Sequence, residues 1–174
     1  MIKEVHEWSK KTFGAQSAMR PLLGIAEEIG EYLESLGGPE ADTVDALADI
    51  GIFFCDFCGI SGVSFDFKVE GTTEDYCNNT TLFMAYADVC HVVLKTEQKI
   101  KGMDDPTKAK AALEKAVAHF WEVLVSFCHW NHKLNLQEAM KDVFSKVVAK
   151  RTPSTLKAAP MNTGPKTLGP KGKK

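Results

Sequence analysis

The segment Leu22-Leu23-Gly24-Ile25-Ala26-Glu27-Glu28-Ile29-Gly30-Glu31-Tyr32-Leu33, answered about one helix later by Asp45-Ala46-Leu47-Ala48-Asp49-Ile50-Gly51, decides how the chain folds. Both stretches have helical spacing, and each sets acids beside apolar residues. At 3.6 residues per turn, Glu27, Glu28 and Glu31 share an arc of roughly 100° beside the stripe Leu22, Ile25, Ile29, Tyr32 and Leu36. In the second stretch nearly every position from Val44 to Cys58 is apolar or small except Asp45, Asp49 and Asp56. With Asp42, these project into an arc of roughly 60°. A helix apolar almost all round is a buried one. Ionised carboxylates on such a helix are costly unless a cation or basic side chains neutralise them.

Working outward, the chain shows no sustained period-2 alternation and no Asn-Gly or Asp-Gly hairpin turn, so an all-α fold is expected. The spacing predicts a first helix over Ile2 to Phe13 and a second over Pro21 to Leu36, stopped by Gly37-Gly38. A third begins at Pro39 and ends near Gly62. A short helix follows from Ser64 to Glu70, then one from Thr81 to Lys101 closed by Gly102. Asp105 as N-cap with Pro106 in the first turn starts another, reaching Trp130, and Asn135 with Glu138 forms a capping box for the last, reaching Lys150.

Aligned on one another, the helices suggest a repeated hairpin. Leu22 to Leu33 matches Leu82 to Val93, and Ile52 to Cys58 matches Glu122 to Cys128. The expected organisation is a helical half over 1–71 carrying the acids and a second, degenerate half over 72–151, packed as a pseudo-dimeric core. A tail over 152–174, rich in Pro, Gly and Lys, is expected to be disordered. The acids do not repeat: Glu27, Glu28 and Glu31 correspond to Ala87, Asp88 and His91, and Asp45 and Asp49 to Lys115 and His119. Lys95 and Lys99 lie in a basic stretch of the second half, which would then offer cations to the carboxylates of the first.

The net charge of −2 conceals an asymmetry. From Arg151 to Lys174 there are six basic residues and no acids, which leaves −8 for the remainder. The tail could fold over a phosphate ligand; its charge gives at most weak affinity for nucleic acid, and no nucleic-acid partner is expected. No apolar run is long enough to span a membrane and Met1-Ile2-Lys3-Glu4 has no signal-peptide pattern, so a soluble cytoplasmic protein with no membrane partner is expected. Five cysteines, mostly inside apolar runs, read as reduced core thiols, and Cys55-x-x-Cys58 lacks a second pair at zinc spacing.

Carboxylates gathered on two antiparallel helices offer oxygen-only coordination, which suits Mg²⁺ or Mn²⁺ better than zinc. Magnesium commonly bridges to phosphates, and no glycine-rich phosphate cradle is present, so the ligand would be a polyphosphate held by metal and by Lys or Arg. The pattern Glu27-Glu28-x-x-Glu31 followed by Asp45-x-x-x-Asp49 resembles the MazG-like all-α nucleoside triphosphate pyrophosphatases, whose motif is EExxE then ExxD. The approach His6-Glu7-Trp8 with Phe13, then Pro21-Leu22-Leu23-Gly24, is similar to members of that group, and the resemblance covers about Val5 to Asp66.

That resemblance implies a helical bundle that hydrolyses (deoxy)nucleoside triphosphates to monophosphate and pyrophosphate with Mg²⁺ or Mn²⁺. Family members are dimeric or tetrameric, which allows a homodimer here. Glu28, Glu31 and Asp49 fall on metal-ligand positions and Glu27 on the first acid of the motif, making Glu27, Glu28, Glu31 and Asp49 the catalytic candidates. The glutamate of ExxD falls on Ala46, and Asp45 is its expected substitute as a metal ligand. Trp8 is a candidate for stacking on the base, and Lys95 and Arg151 for contacting phosphate. The alternative is a catalytically degenerate nucleotide- or metal-binding protein or helical interaction partner, since Glu-Glu-x-x-Glu alone is common on solvated helix faces and Ala46 breaks the motif.

Overall fold

The computed structural model describes residues 1–65, 67–68, 72–76, 78–99 and 104–151. All regular structure among them is helical: α1 (Ile2–Phe13), α2 (Met19–Ser35), α3 (Glu40–Ser61), α4 (Asn79–Glu97), α5 (Pro106–His132) and α6 (Leu136–Lys150), with one 3-10 turn at Glu74–Tyr76. The expected disordered tail over 152–174, the C-terminal end of the fourth predicted helix at Lys101-Gly102, and Cys77 lie outside the described residues.

Local chemistry sets the ends of these helices. Pro39 precedes the first turn of α3, and Gly62 closes it in the left-handed region at φ 64°, its N–H donating to the Cys58 carbonyl; a residue with a Cβ would be strained there. The Asn78 side chain accepts from Thr81 N at 2.8 Å, which starts α4 at Asn79 rather than at Thr81. Asp105 accepts from Thr107 N at 2.9 Å, and Asn135 from Glu138 N at 3.3 Å.

The short helix predicted from Ser64 to Glu70 does not form at its described positions: Ser64, Phe65, Phe67 and Lys68 are irregular. The Phe65 and Phe67 rings both lie against Trp121, with centroids at 5.1 and 5.0 Å. The Phe67 carbonyl accepts from Trp121 Nε1 at 3.4 Å and from Gln137 Nε2 at 2.9 Å. Residues two apart on a helix point to nearly opposite sides, so a helix could not deliver both rings to one indole.

Helix α3 is central, packing against α1, α2 and α6 and touching α5, while α4 packs on α5. This placement follows from its sequence, since between Thr43 and Cys58 it buries residues on every side. One continuous cluster of buried apolar side chains runs from Val5 to Phe144. Phe54 of α3 meets Phe120 of α5 at 4.8 Å. Polar contacts add to this join: Tyr86 Oη donates to the Leu22 carbonyl at 2.6 Å, and Tyr32 Oη lies 3.4 Å from Asn79 Oδ1 and 3.3 Å from His132 Nε2.

Cys55, Cys58 and Cys128 are free and buried. Burial pushes the Cys55 thiol up to about 12 and the other two higher still, which suits inert core thiols. Among the described residues, no helix is long and apolar enough to cross a membrane.

Candidate functional site

The α2–α3 pairing brings the two acidic segments face to face. Glu28 and Asp49 are half-buried between the helices, while Glu27, Glu31 and Asp45 stand at the exposed edge. Burial is the first cause that lifts the Glu28 carboxyl from its ordinary 4.5 to about 8, followed by the charges of Asp49, Glu31, Glu27 and Asp45. Burial likewise lifts Asp49 from 3.8 to about 6, with Asp45 and Glu31 raising it and Arg151 opposing them. All five predicted carboxylates therefore belong to one electrostatic cluster.

A cavity of about 410 Å³ opens beside this cluster, between α1, α2, α3 and the end of α6. Glu27, Glu28 and Asp49 line it, as do the predicted Trp8 and Arg151. Trp8 is fixed by edge-on contacts to Phe13 at 5.6 Å and Phe144 at 5.5 Å. Arg151 lies over the Phe13 ring at 5.9 Å, and Arg20 lies over the same ring at 5.6 Å. Phe53 completes an aromatic wall, positioned by Gly24: a Cβ there would fall 2.7 Å from the Phe53 ring. Only the missing side chain lets α2 approach α3 closely enough for this arrangement.

Lys95 does not line the cavity and is absent from the charges acting on Glu28 or Asp49. It sits on α4, which packs on α5. At this cavity the cation from the second half is Arg151 rather than Lys95, joined by Arg20 from the first half. Besides Arg20 and Arg151, Lys146 of α6 feels Asp45, although its pKa is raised mainly by the hydrogen bond and charge of Asp142 at 2.6 Å. His91 and His119 also lie away from the cavity.

Asp56, the last acid of the α3 stripe, has a separate role. It is buried at 6% exposure, accepts from Ser9 Oγ at 2.7 Å and lies 3.3 Å from His6 Nδ1. The stripe's demand for partners is thus met by α1 at Asp56, and is left to Arg151 and Lys146 at Asp49 and Asp45.

The carboxylate cluster fits a hard divalent cation in donor type and in charge, because Glu28 and Asp49 are desolvated acids held close to other acids. Among the described residues no three Asp, Glu, His or Cys side chains converge into a finished metal cage. Ala46 is buried in the core at 4% exposure and offers no ligand atom, whereas Asp45 beside it is exposed.

The raised carboxyls fix the sign of a pH effect. Glu28 binds its proton more tightly folded than unfolded, so its contribution weakens the fold as pH rises from 4.5 to about 8, and Asp49 acts alike from 3.8 to about 6. A divalent cation favours the ionised forms and opposes that loss. Adding Mg²⁺ or Mn²⁺ to chelator-treated protein is expected to raise the melting temperature by several degrees at pH 8 and by much less at pH 5; equal shifts at both would contradict this account.

Arg20, Phe53 and Gln16 line the same cavity without having been singled out in the sequence, whereas Phe13, also in the lining, was part of the resemblance. The nearest signal was the position of Phe13 and Arg20 at the two ends of the loop joining α1 to α2, beside the resemblance-bearing segment. No family model, curated protein or solved structure matches the chain.

Proposed function

We propose that this protein is a nucleoside triphosphate pyrophosphohydrolase of the MazG-like type, dependent on Mg²⁺ or Mn²⁺. The observation that carries the reading is the single cavity whose lining combines Glu27, Glu28 and Asp49 with two guanidiniums and an aromatic wall. Each feature matches one part of a nucleotide and its metal. The packing of α2 on α3 and of α4 on α5 supports the further reading of the bundle as two related hairpins.

Glu28, Glu31, Asp45 and Asp49 would hold the cation. Bound there, it supplies Lewis-acid polarisation of the phosphate oxygens. Arg20 and Arg151, both seated on Phe13, offset the charge of the phosphates. Trp8 and Phe53 exclude water from one side and offer flat surfaces to a base. Glu27 lines the cavity and lies outside the proposed ligand set, so its carboxylate takes the proton of the attacking water. The water oxygen bonds to the α-phosphorus, the α–β bridging P–O bond breaks, and pyrophosphate leaves with the electron pair.

A panel of ribo- and deoxyribonucleoside triphosphates with Mg²⁺ or Mn²⁺, assayed for pyrophosphate, tests the reading; no turnover of any member would sink it. Arg151→Ala is expected to raise KM for the triphosphate about tenfold, by loss of a charged hydrogen-bonding partner. An unchanged KM would remove Arg151 from the phosphate site.

The lack of three converging ligands, together with Ala46, supports a second reading: a nucleotide- or metal-binding protein, or helical interaction partner, without catalysis. Metal-dependent nucleotide binding by calorimetry with no pyrophosphate formed would favour it.

A further inference from the structure

Among the described residues, two buried side-chain nitrogens have no hydrogen-bond partner, Gln16 Nε2 and Trp130 Nε1. Buried donors are almost always paired, and an unmet one costs stability. Gln16 belongs to the wall of the 410 Å³ cavity and to that of an adjoining cavity of about 160 Å³, and the two walls share Ser9 and Asp56. Trp130 lines neither.

The surroundings define what could meet this donor. Ser9 and His6 engage the two Asp56 oxygens. Asp56 lies seven residues beyond Asp49 on α3, two helical turns or roughly 10 Å along the axis. The Asp56 carboxyl on the shared wall makes a phosphate a poor neighbour there, so a neutral ring nitrogen or carbonyl suits the Gln16 donor best. The aromatic wall of the same cavity suits a planar heterocycle.

We propose that Gln16 is the specificity-determining residue of this cavity, its carboxamide donating to a neutral acceptor on the edge of a nucleobase held against the aromatic wall while the phosphates extend toward Asp49. This rests on the nucleotide reading of the site, and adds to it the group that distinguishes one base from another. The α1–α2 loop carries Gln16, and Gly14, at φ 80°, turns the chain into it.

The test is equilibrium binding of the common ribo- and deoxyribonucleosides, and of their triphosphates, to wild type, Gln16→Leu and Gln16→Glu, with KM and melting temperature measured alongside. The wild type should rank the bases by at least about fivefold, and Gln16→Leu should weaken the preferred base roughly tenfold and flatten the ranking, as expected for loss of one buried hydrogen bond. Gln16→Glu should reorder it, since an acceptor replaces the donor. Gln16→Leu should raise KM for the preferred substrate and keep or raise the melting temperature, since it removes an unmet buried donor, whereas a merely structural role would lower stability and leave the ranking intact. The same base ranking in all three proteins, or no nucleoside or nucleotide binding by the wild type, overturns the proposal. Gln16-dependent nucleoside binding without turnover of any triphosphate upholds it and refutes the hydrolase reading; turnover with a ranking indifferent to Gln16 does the reverse.

Discussion

Glu28→Gln is expected to lower pyrophosphate release by on the order of 100-fold or more while making the metal-free protein more stable. Both effects have one origin. Glu28 is a half-buried carboxyl lifted to about 8 by burial and by four neighbouring acids, so at neutral pH folding must draw onto it a proton that the unfolded chain does not hold, which opposes folding. The neutral amide removes that opposition and keeps the shape, but it also removes an oxygen donor that a divalent cation needs. Melting of chelator-treated wild type and variant at pH 8, beside a pyrophosphate assay with Mg²⁺, reads both quantities. A variant that is less stable and equally active would show that Glu28 is an ordinary packing residue.

The second large effect belongs to the core. Trp121→Ala is expected to cost about 3–5 kcal/mol, the range for deleting a large buried aromatic, and to lower the melting temperature by on the order of 10 °C. The indole is 1% exposed, packs on Phe54, Phe65 and Phe67, and donates from Nε1 to the Phe67 carbonyl. Its removal leaves a cavity and frees Phe65 and Phe67, which belong to no helix. Thermal and urea unfolding measure the loss, and a cost below about 1 kcal/mol would mean that the layer closes over the gap.

The all-helical fold and most helix limits were legible because the signals were local. Asp105 with Pro106, Asn135 with Glu138, and Gly62 each act within one turn of their own position. Phe65 and Phe67 were misleading, since their conformation depends on Trp121, more than fifty residues away in the chain. The carboxylates were readable from helical spacing, because α2 and α3 are neighbours in both sequence and space. Arg20, Gln16 and Phe53 were not, because their meaning comes from the cavity that α1 and α6 close. Lys95 was chosen for lying in a basic stretch of the second half, whereas packing brings Arg151 and Lys146 of that half near the acids instead.

The return of α6 to pack on α3 makes the completed site depend on a contact between segments far apart in the chain. Synthesis delivers Glu28 and Asp49 early, with Arg151 following a hundred residues after Asp49. Until α6 has docked, the carboxylates lack the guanidinium that opposes the shift of Asp49, and the cavity lacks the wall formed by Val147 and Arg151. A chain lacking α6 would carry the whole acidic motif beside a cavity open on the side that Val147 and Arg151 close. Completion of the site thus depends on a long-range contact, made a hundred residues beyond the carboxylates that announce it.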